Sequence, residues 1–436
     1  MKVKVNFGLK NYNCSKEENS LIIIYLIAFL SSVFFFFAGP VSVVGDTESY
    51  VHAKNILFIE GRLDHLRTPL YPVLLALAGF KFIIVIQYSL FLVSIYFFYK
   101  TLKFLKLSNF LTFVTAIIYV CHPVFLNYQN QLYAEGLCIS ISSILFYYLV
   151  KFVLFKKSSD SWKYYLVSII LIFLKPVFIF VLIVSFLLLV YLFITKEKGK
   201  ILMNFFVPFI ISIFLISSYI LTIKKEYNFY GISSVSDVNL YWMLRENNQI
   251  DIKSIENSNL KLFLLDKVNV NYPYFAEYVS EARIIYMKFG FNELHKLVSN
   301  SLKKANYKFI SSRTGKINEN MQNNVGVPID YFVPRFKPIR YLISFFSITF
   351  YQLIIALILY LCLVFSHIKQ SAEIPILSIL FLIYISFNLS TLILTGPNNY
   401  GRLIIPSISI ILIVIMQSIE GISYFLNKNG HKFKLM

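Results

Sequence analysis

Apolar blocks of near bilayer-spanning length recur along this chain, and they constrain its fold more than any other feature, since about 20 consecutive apolar residues suffice for a helix to cross the hydrocarbon core. Ten spans are expected, near 21–39, 82–104, 109–126, 132–155, 162–174, 176–195, 201–223, 339–366, 373–395 and 403–426. The composition agrees: 57% apolar, 14% charged, 44 Phe and 31 Tyr lie outside the range of soluble globular proteins. The expected fold is an all-α polytopic membrane protein. The stretch from Ser161 to Ile194 reads either as two short spans divided at Lys175-Pro176 or as one long kinked helix.

The net charge of +19 suggests nucleic acid only if the basic residues share a face of a soluble domain. Here most short basic clusters flank apolar spans, which excludes that class. With a cytoplasmic N-terminus, the short cytoplasmic segments carry eighteen lysines, from Lys2 to Lys434, while the short outer connections near 122–134, 175 and 396–402 carry only Lys175 and Arg402. This asymmetry favours both termini in the cytoplasm. Merging the fifth and sixth spans would put Lys196 and Lys200 outside, so the charge pattern also supports ten. The run from Leu21 to Ala38 is too long for a signal-peptide core and reads as an uncleaved first span. Cys14, Cys121, Cys138 and Cys362 have no CxxC spacing and suggest neither a disulfide framework nor a zinc site.

This topology divides the chain into an N-terminal module of seven spans, 1–223, a long outer segment, 224–338, and a C-terminal module of three spans, 339–436. A first outer loop covers 40–81. Thr68-Pro69 predicts a helix start, with the apolar run through Phe80 lying along the membrane surface. In the long segment, Phe275, Tyr278, Val279, Ala282, Ile285, Tyr286 and Phe289 have helical spacing, and Asn292–Ala305 is a second candidate helix. The pair reads as amphipathic helices on the membrane edge or on the first loop. The Asn- and Ser-rich stretches near 232–259 and 311–330 read as irregular loop.

The first outer loop is unusually polar, and it holds the first chemical candidates. Asp46 and Glu48 form a D-x-E just after the first span, where one carboxylate can take the proton of an acceptor hydroxyl and the other can orient the acceptor or help to hold a divalent metal. Asp46 would equally serve as N-cap for a helix over 47–59. Glu135 is an acid at the outer start of the fourth span, where carboxylates are functional, paired or snorkelling. Arg67, Lys175 and Arg402 sit at outer span ends, where basic residues suit a lipid phosphate or simple interfacial anchoring. His65 is a candidate phosphate contact. Tyr50, Tyr71 and Tyr133 read as interface-belt aromatics.

Taken together, Asp46, Tyr50, Ala53, Gly61, Arg67, Pro69, Tyr71 and Pro72 form a loop that resembles the GT-C superfamily of membrane glycosyltransferases, which includes protein O-mannosyltransferases and bacterial aminoarabinose transferases. Glu135 in LYAEGL is similar to that family's second acidic position. Arg402 in NNYGRLIIPSISIIL is similar to an R-x-x-x-P pattern opening a late span. The chain departs from the pattern in having Thr47-Glu48 after Asp46 and Lys175-Pro176 where Arg-Pro is common. The resemblance implies inverting transfer of a sugar from a polyprenyl-phosphate donor to a glycan, lipid or protein acceptor on the outer face, with the loop acid as base. The Lys, Ile, Phe and Asn bias points to a bacterial inner (plasma) membrane.

Two other classes fit a chain with many spans. A polysaccharide repeat-unit polymerase would put its key arginines in the large outer loop and need no acid straight after the first span. A non-enzymatic lipid or glycan transporter would show polar or broken helices at mid-membrane and repeated halves. Here the ionisable residues gather at the outer edge, and no repeat is visible.

Overall fold

The computed structural model describes residues 14–38, 45–197, 199–267, 270, 275–305, 357–358, 360–361, 373–395 and 407–433. Every regular element among them is a helix. Five helices are long and apolar enough to cross a membrane, or six if one bent pair counts as a single span. Both the all-helical class and the membrane-crossing character are therefore present.

Helix α1 spans Cys14–Ala38 and α2 spans Gly45–Ile59. Helix α3, Leu70–Phe104, begins two residues after Thr68 with Pro69 as its N-cap, and Thr68 makes no side-chain cap there. Its first part is set off by Gly79, whose φ of 69° and ψ of 176° break the helical path where glycine alone is unstrained. The surface helix and the second span expected from the sequence thus share one kinked element.

Helices α4 (Asn109–Cys121) and α5 (Pro123–Gln129) meet at a 42° bend, and α6 (Ala134–Phe155) follows. Helix α7 (Ser158–Leu174) stops at Lys175, which is extended (φ −151°, ψ 116°), before a 3-10 turn at Pro176–Ile179 and α8 (Phe180–Ile194). The Tyr164 hydroxyl lies 2.9 Å from Ser185 Oγ. In one continuous helix those residues would stand about 30 Å apart at 1.5 Å per residue. The chain therefore folds back at Lys175-Pro176, because proline lacks the N–H and its ring blocks the preceding turn.

Helix α9 (Gly199–Tyr227) leads out of the apolar bundle. The next segment is more helical than its Ser and Asn content suggests. Helix α10, Val235–Glu246, lies within the region near 232–259 expected to be irregular loop, α11 (Ser258–Lys267) begins at its end, and α12 (Phe275–Phe289) and α13 (Phe291–Lys304) follow. The missed signal was the apolar run from Leu240 to Leu244, which is buried in α10 together with Val238 and Arg245 and follows the polar residues that open the helix. These helices enclose a core of their own around Trp242, Tyr278, Ala282, Ile285 and Leu297, with Leu66 of the first loop packed against it. Two later helices, α14 (Glu373–Thr395) and α15 (Ile408–Phe433), join the main core, where Tyr384 packs against Phe146 and Phe180 with ring centroids 4.8 Å apart in each case. Residues 311–330 and most of the span expected at 339–366 lie outside the described residues.

Candidate functional site

Between α2 and α3 the chain makes a tight turn around a buried carboxylate. Asp64 Oδ2 accepts the Arg67 N–H at 2.9 Å, and burial pushes the Asp64 carboxyl above its ordinary range against the lowering effect of the Leu66 and Arg67 N–H groups. This turn fixes where Arg67 leaves the backbone. Its guanidinium then donates from Nε to Ser49 Oγ at 2.7 Å and lies 4.7 Å from the Tyr50 ring centre. Ser49 and Tyr50 are three and four residues after Asp46 on α2, so Asp46 occupies the same helical row. The side chain of Asp46 lies outside the described residues. Its neighbour Thr47 donates to the Leu132 carbonyl at 3.2 Å, which brings the start of α2 beside the start of α6.

Glu135 stands in the first turn of α6 and is 1% exposed, so it does not snorkel. Its Oε1 accepts a hydrogen bond from Lys175 Nζ at 2.7 Å. Lys175 is almost as deeply buried and is no interfacial anchor. The next residue, Gly136, is packed so closely that an added Cβ would meet the Tyr128 carbonyl at 2.8 Å. The ion pair ties the break after α7 to a rigid part of the bundle.

Arg67 and Lys175 both line one cavity of about 450 Å³. The first loop contributes Tyr50 and Thr68, the α7–α8 turn contributes Pro176, the start of α8 contributes Phe180 and Ile183, and the opening of the next segment contributes Ser233 and Ser236. Ile220 of α9 and Phe387 of α14 close the apolar side. The cavity wall thus combines two basic residues and several hydroxyls with hydrocarbon side chains, which suits an amphipathic ligand with an anionic head.

His65 is not part of this wall. Its Nδ1 lies 2.9 Å from Ser234 Oγ, and its ring is packed by Tyr227, Tyr286 and Phe291. Burial, with the nearby charges of His52 and Arg283, pushes its pKa down to about 4, so it is neutral near pH 7 and offers no charge to a phosphate. Glu48 is exposed on α2. Among the described residues no three His, Cys, Asp or Glu side chains gather as a metal would require, and Asp46, the other carboxylate of the D-x-E, has its side chain outside them. Arg402 lies outside the described residues. Tyr50, Tyr71 and Tyr133 are buried rather than belted at an interface, because Tyr50 supports Arg67, Tyr71 packs on Tyr50 at 4.7 Å, and Tyr133 is the N-cap of α6. Thr68, Ser233 and Ser236 were not legible as site residues, since nothing local marks them.

Comparison with protein-family models gives no match, and neither does comparison with curated proteins.

Proposed function

We propose that this protein is a ten-span membrane glycosyltransferase that moves a sugar from a polyprenyl-phosphate donor to an acceptor on the outer face of a bacterial inner membrane, with inversion. The observation that carries this reading is the convergence of Arg67 and Lys175 on one cavity whose wall is otherwise largely apolar. A leaving phosphate gains negative charge as the glycosidic bond breaks, and fixed cations beside it stabilise that charge more in the transition state than in the ground state. Arg67 is held in place by Ser49 and Tyr50, and Lys175 by Glu135, so little reorganisation is needed. Arg402 is assigned to the same phosphate by its motif. Glu135 then serves to position Lys175.

Asp46 is the proposed base. It belongs to the helical row that holds Arg67 and adjoins Thr47, which binds the segment leading to Glu135. A carboxylate there takes the proton of the acceptor hydroxyl as its oxygen attacks the anomeric carbon and the phosphate departs. Helix α2 begins at Gly45, so Asp46 lies inside its first turn and is not its N-cap, and Asp46→Asn retains size and removes the basicity. Transfer from a polyprenyl-phosphate sugar, assayed in membranes, is expected to fall on the order of a hundred-fold or more at unchanged expression. Equal transfer by the variant and the wild type would reduce Asp46 to a structural residue.

A further inference from the structure

The cavity wall holds more polar groups than its two cations. Thr68 lines it beside Arg67, is 1% exposed, and has a hydroxyl without a hydrogen-bond partner among the described residues. Buried hydroxyls are normally satisfied, so an unmatched one at a cavity wall points to a ligand that completes it.

The N-terminal end of α10 meets the same cavity. Val235 and Ser236 of its first turn and Asn239 of its second line the wall, and the N-cap residue Ser234 makes no side-chain cap. Ser233 Oγ takes the Val235 N–H at 3.2 Å and donates to the Leu66 carbonyl at 2.6 Å, while the Ser234 N–H donates to the His65 carbonyl at 2.9 Å. These bonds hold the helix end against the turn that carries Arg67. The acid of that first turn, Asp237, is engaged by His295 of α13, whose Nδ1 lies 3.1 Å from Oδ2, and it is not among the residues lining the cavity. The N–H groups of Asp237 and Val238 go to the Ser234 carbonyl, so what this helix end offers an anion is its partial positive charge and the Ser236 residue of its first turn.

We propose that Thr68 and the first turn of α10 complete the phosphate site begun by Arg67 and Lys175, so that the helical segment after α9 binds the donor's phosphate. This inference rests on the donor-phosphate reading above. The ligand class is a phosphate ester on an isoprenoid chain, with the phosphate at Arg67, Lys175, Thr68 and Ser236 and the chain running toward Phe180, Ile183 and Ile220.

The test is binding of farnesyl phosphate to the full-length protein in detergent, with farnesol as the uncharged control and inorganic phosphate as competitor. Thr68→Val keeps the shape and removes the hydroxyl. Ser236→Asp places a charge that favours the helix end itself but repels an anion, so lost binding is not lost folding. Each variant is expected to weaken farnesyl phosphate about tenfold or more while farnesol binding and the melting temperature stay unchanged. Inorganic phosphate should compete at the wild-type site and lose the same factor in Thr68→Val, which assigns the effect to the head group. Wild-type affinity in both variants, with Arg67→Ala still losing farnesyl phosphate, overturns the inference and leaves the donor-phosphate reading standing. An equal loss of farnesol overturns it too, since the residues would then serve the apolar chain. Undiminished binding by Arg67→Ala would overturn the donor-phosphate reading itself.

Discussion

Lys175 Nζ sits 2.7 Å from Glu135 Oε1, joining the break after α7 to the first turn of α6 with both side chains withdrawn from solvent. Removing one partner of such a pair leaves a buried charge without compensation, whereas replacing both with apolar residues removes the problem. Glu135→Leu is expected to lower stability by about 3–5 kcal/mol, and adding Lys175→Met to recover most of the loss. Denaturation of the purified variants in detergent measures this. A double variant no more stable than Glu135→Leu would show that the pair does not act as a unit.

His65 makes stability depend on pH in a defined direction. Its pKa in the fold is about 4, below the ordinary 6.5, so between those values the unfolded chain binds the extra proton. The His65 contribution is therefore complete above 6.5 and is lost as pH falls through 4, by on the order of 3 kcal/mol in full. Asp64, pushed upward by burial, acts in the opposite sense across the carboxylate range, so the His65 slope is best read between pH 6.5 and about 5. In His65→Gln the melting temperature should lose its slope in that window; an unchanged slope would assign it to another group.

Arg245 of α10 and Glu281 of α12 form a buried pair, with Nε 3.2 Å from Oε1, the Tyr241 hydroxyl bonded to the same carboxylate, and the guanidinium also bonded to the Lys267 and Val270 carbonyls. Glu281→Leu strands the guanidinium and should cost about 3–5 kcal/mol locally. Limited proteolysis reads this out: cleavage within 235–304 should accelerate while the membrane helices stay protected. A wild-type digestion pattern would show that the pair contributes little.

Membrane orientation is the fourth prediction, drawn from the lysine asymmetry. With the native cysteines replaced, Ser254→Cys should react with an impermeant thiol reagent on intact cells, and Lys428→Cys only after permeabilisation. Labelling of position 428 from outside would refute the ten-span topology.

The helices were legible in the sequence where one periodic signal ran unopposed. The spacing of Tyr278, Ala282 and Ile285 places them in the core beneath α12, and Lys175-Pro176 marks the reversal between α7 and α8 because a missing N–H is a local fact. Helix α10 was hidden because Ser236, Asp237 and Asn239 open it, and their turn preference acts locally while the core around Trp242 acts only once α12 and α13 are in place. Arg67, Lys175 and Glu135 could be picked out singly as ionisable residues at span ends, which hydrocarbon normally excludes. Their grouping could not. Glu135 and Lys175 are 40 residues apart, and His65 and Ser234 are 169 apart, and such pairs meet only when the helices pack. The sequence by itself determined an all-helical, membrane-crossing chain and the residue types at its polar edges, because periodicity and charge act within a few turns. Only the tertiary structure decided that Tyr50 supports Arg67 instead of facing an interface, that His65 is sequestered, and that Thr68 and α10 share a wall with Lys175, because each depends on contacts between distant segments.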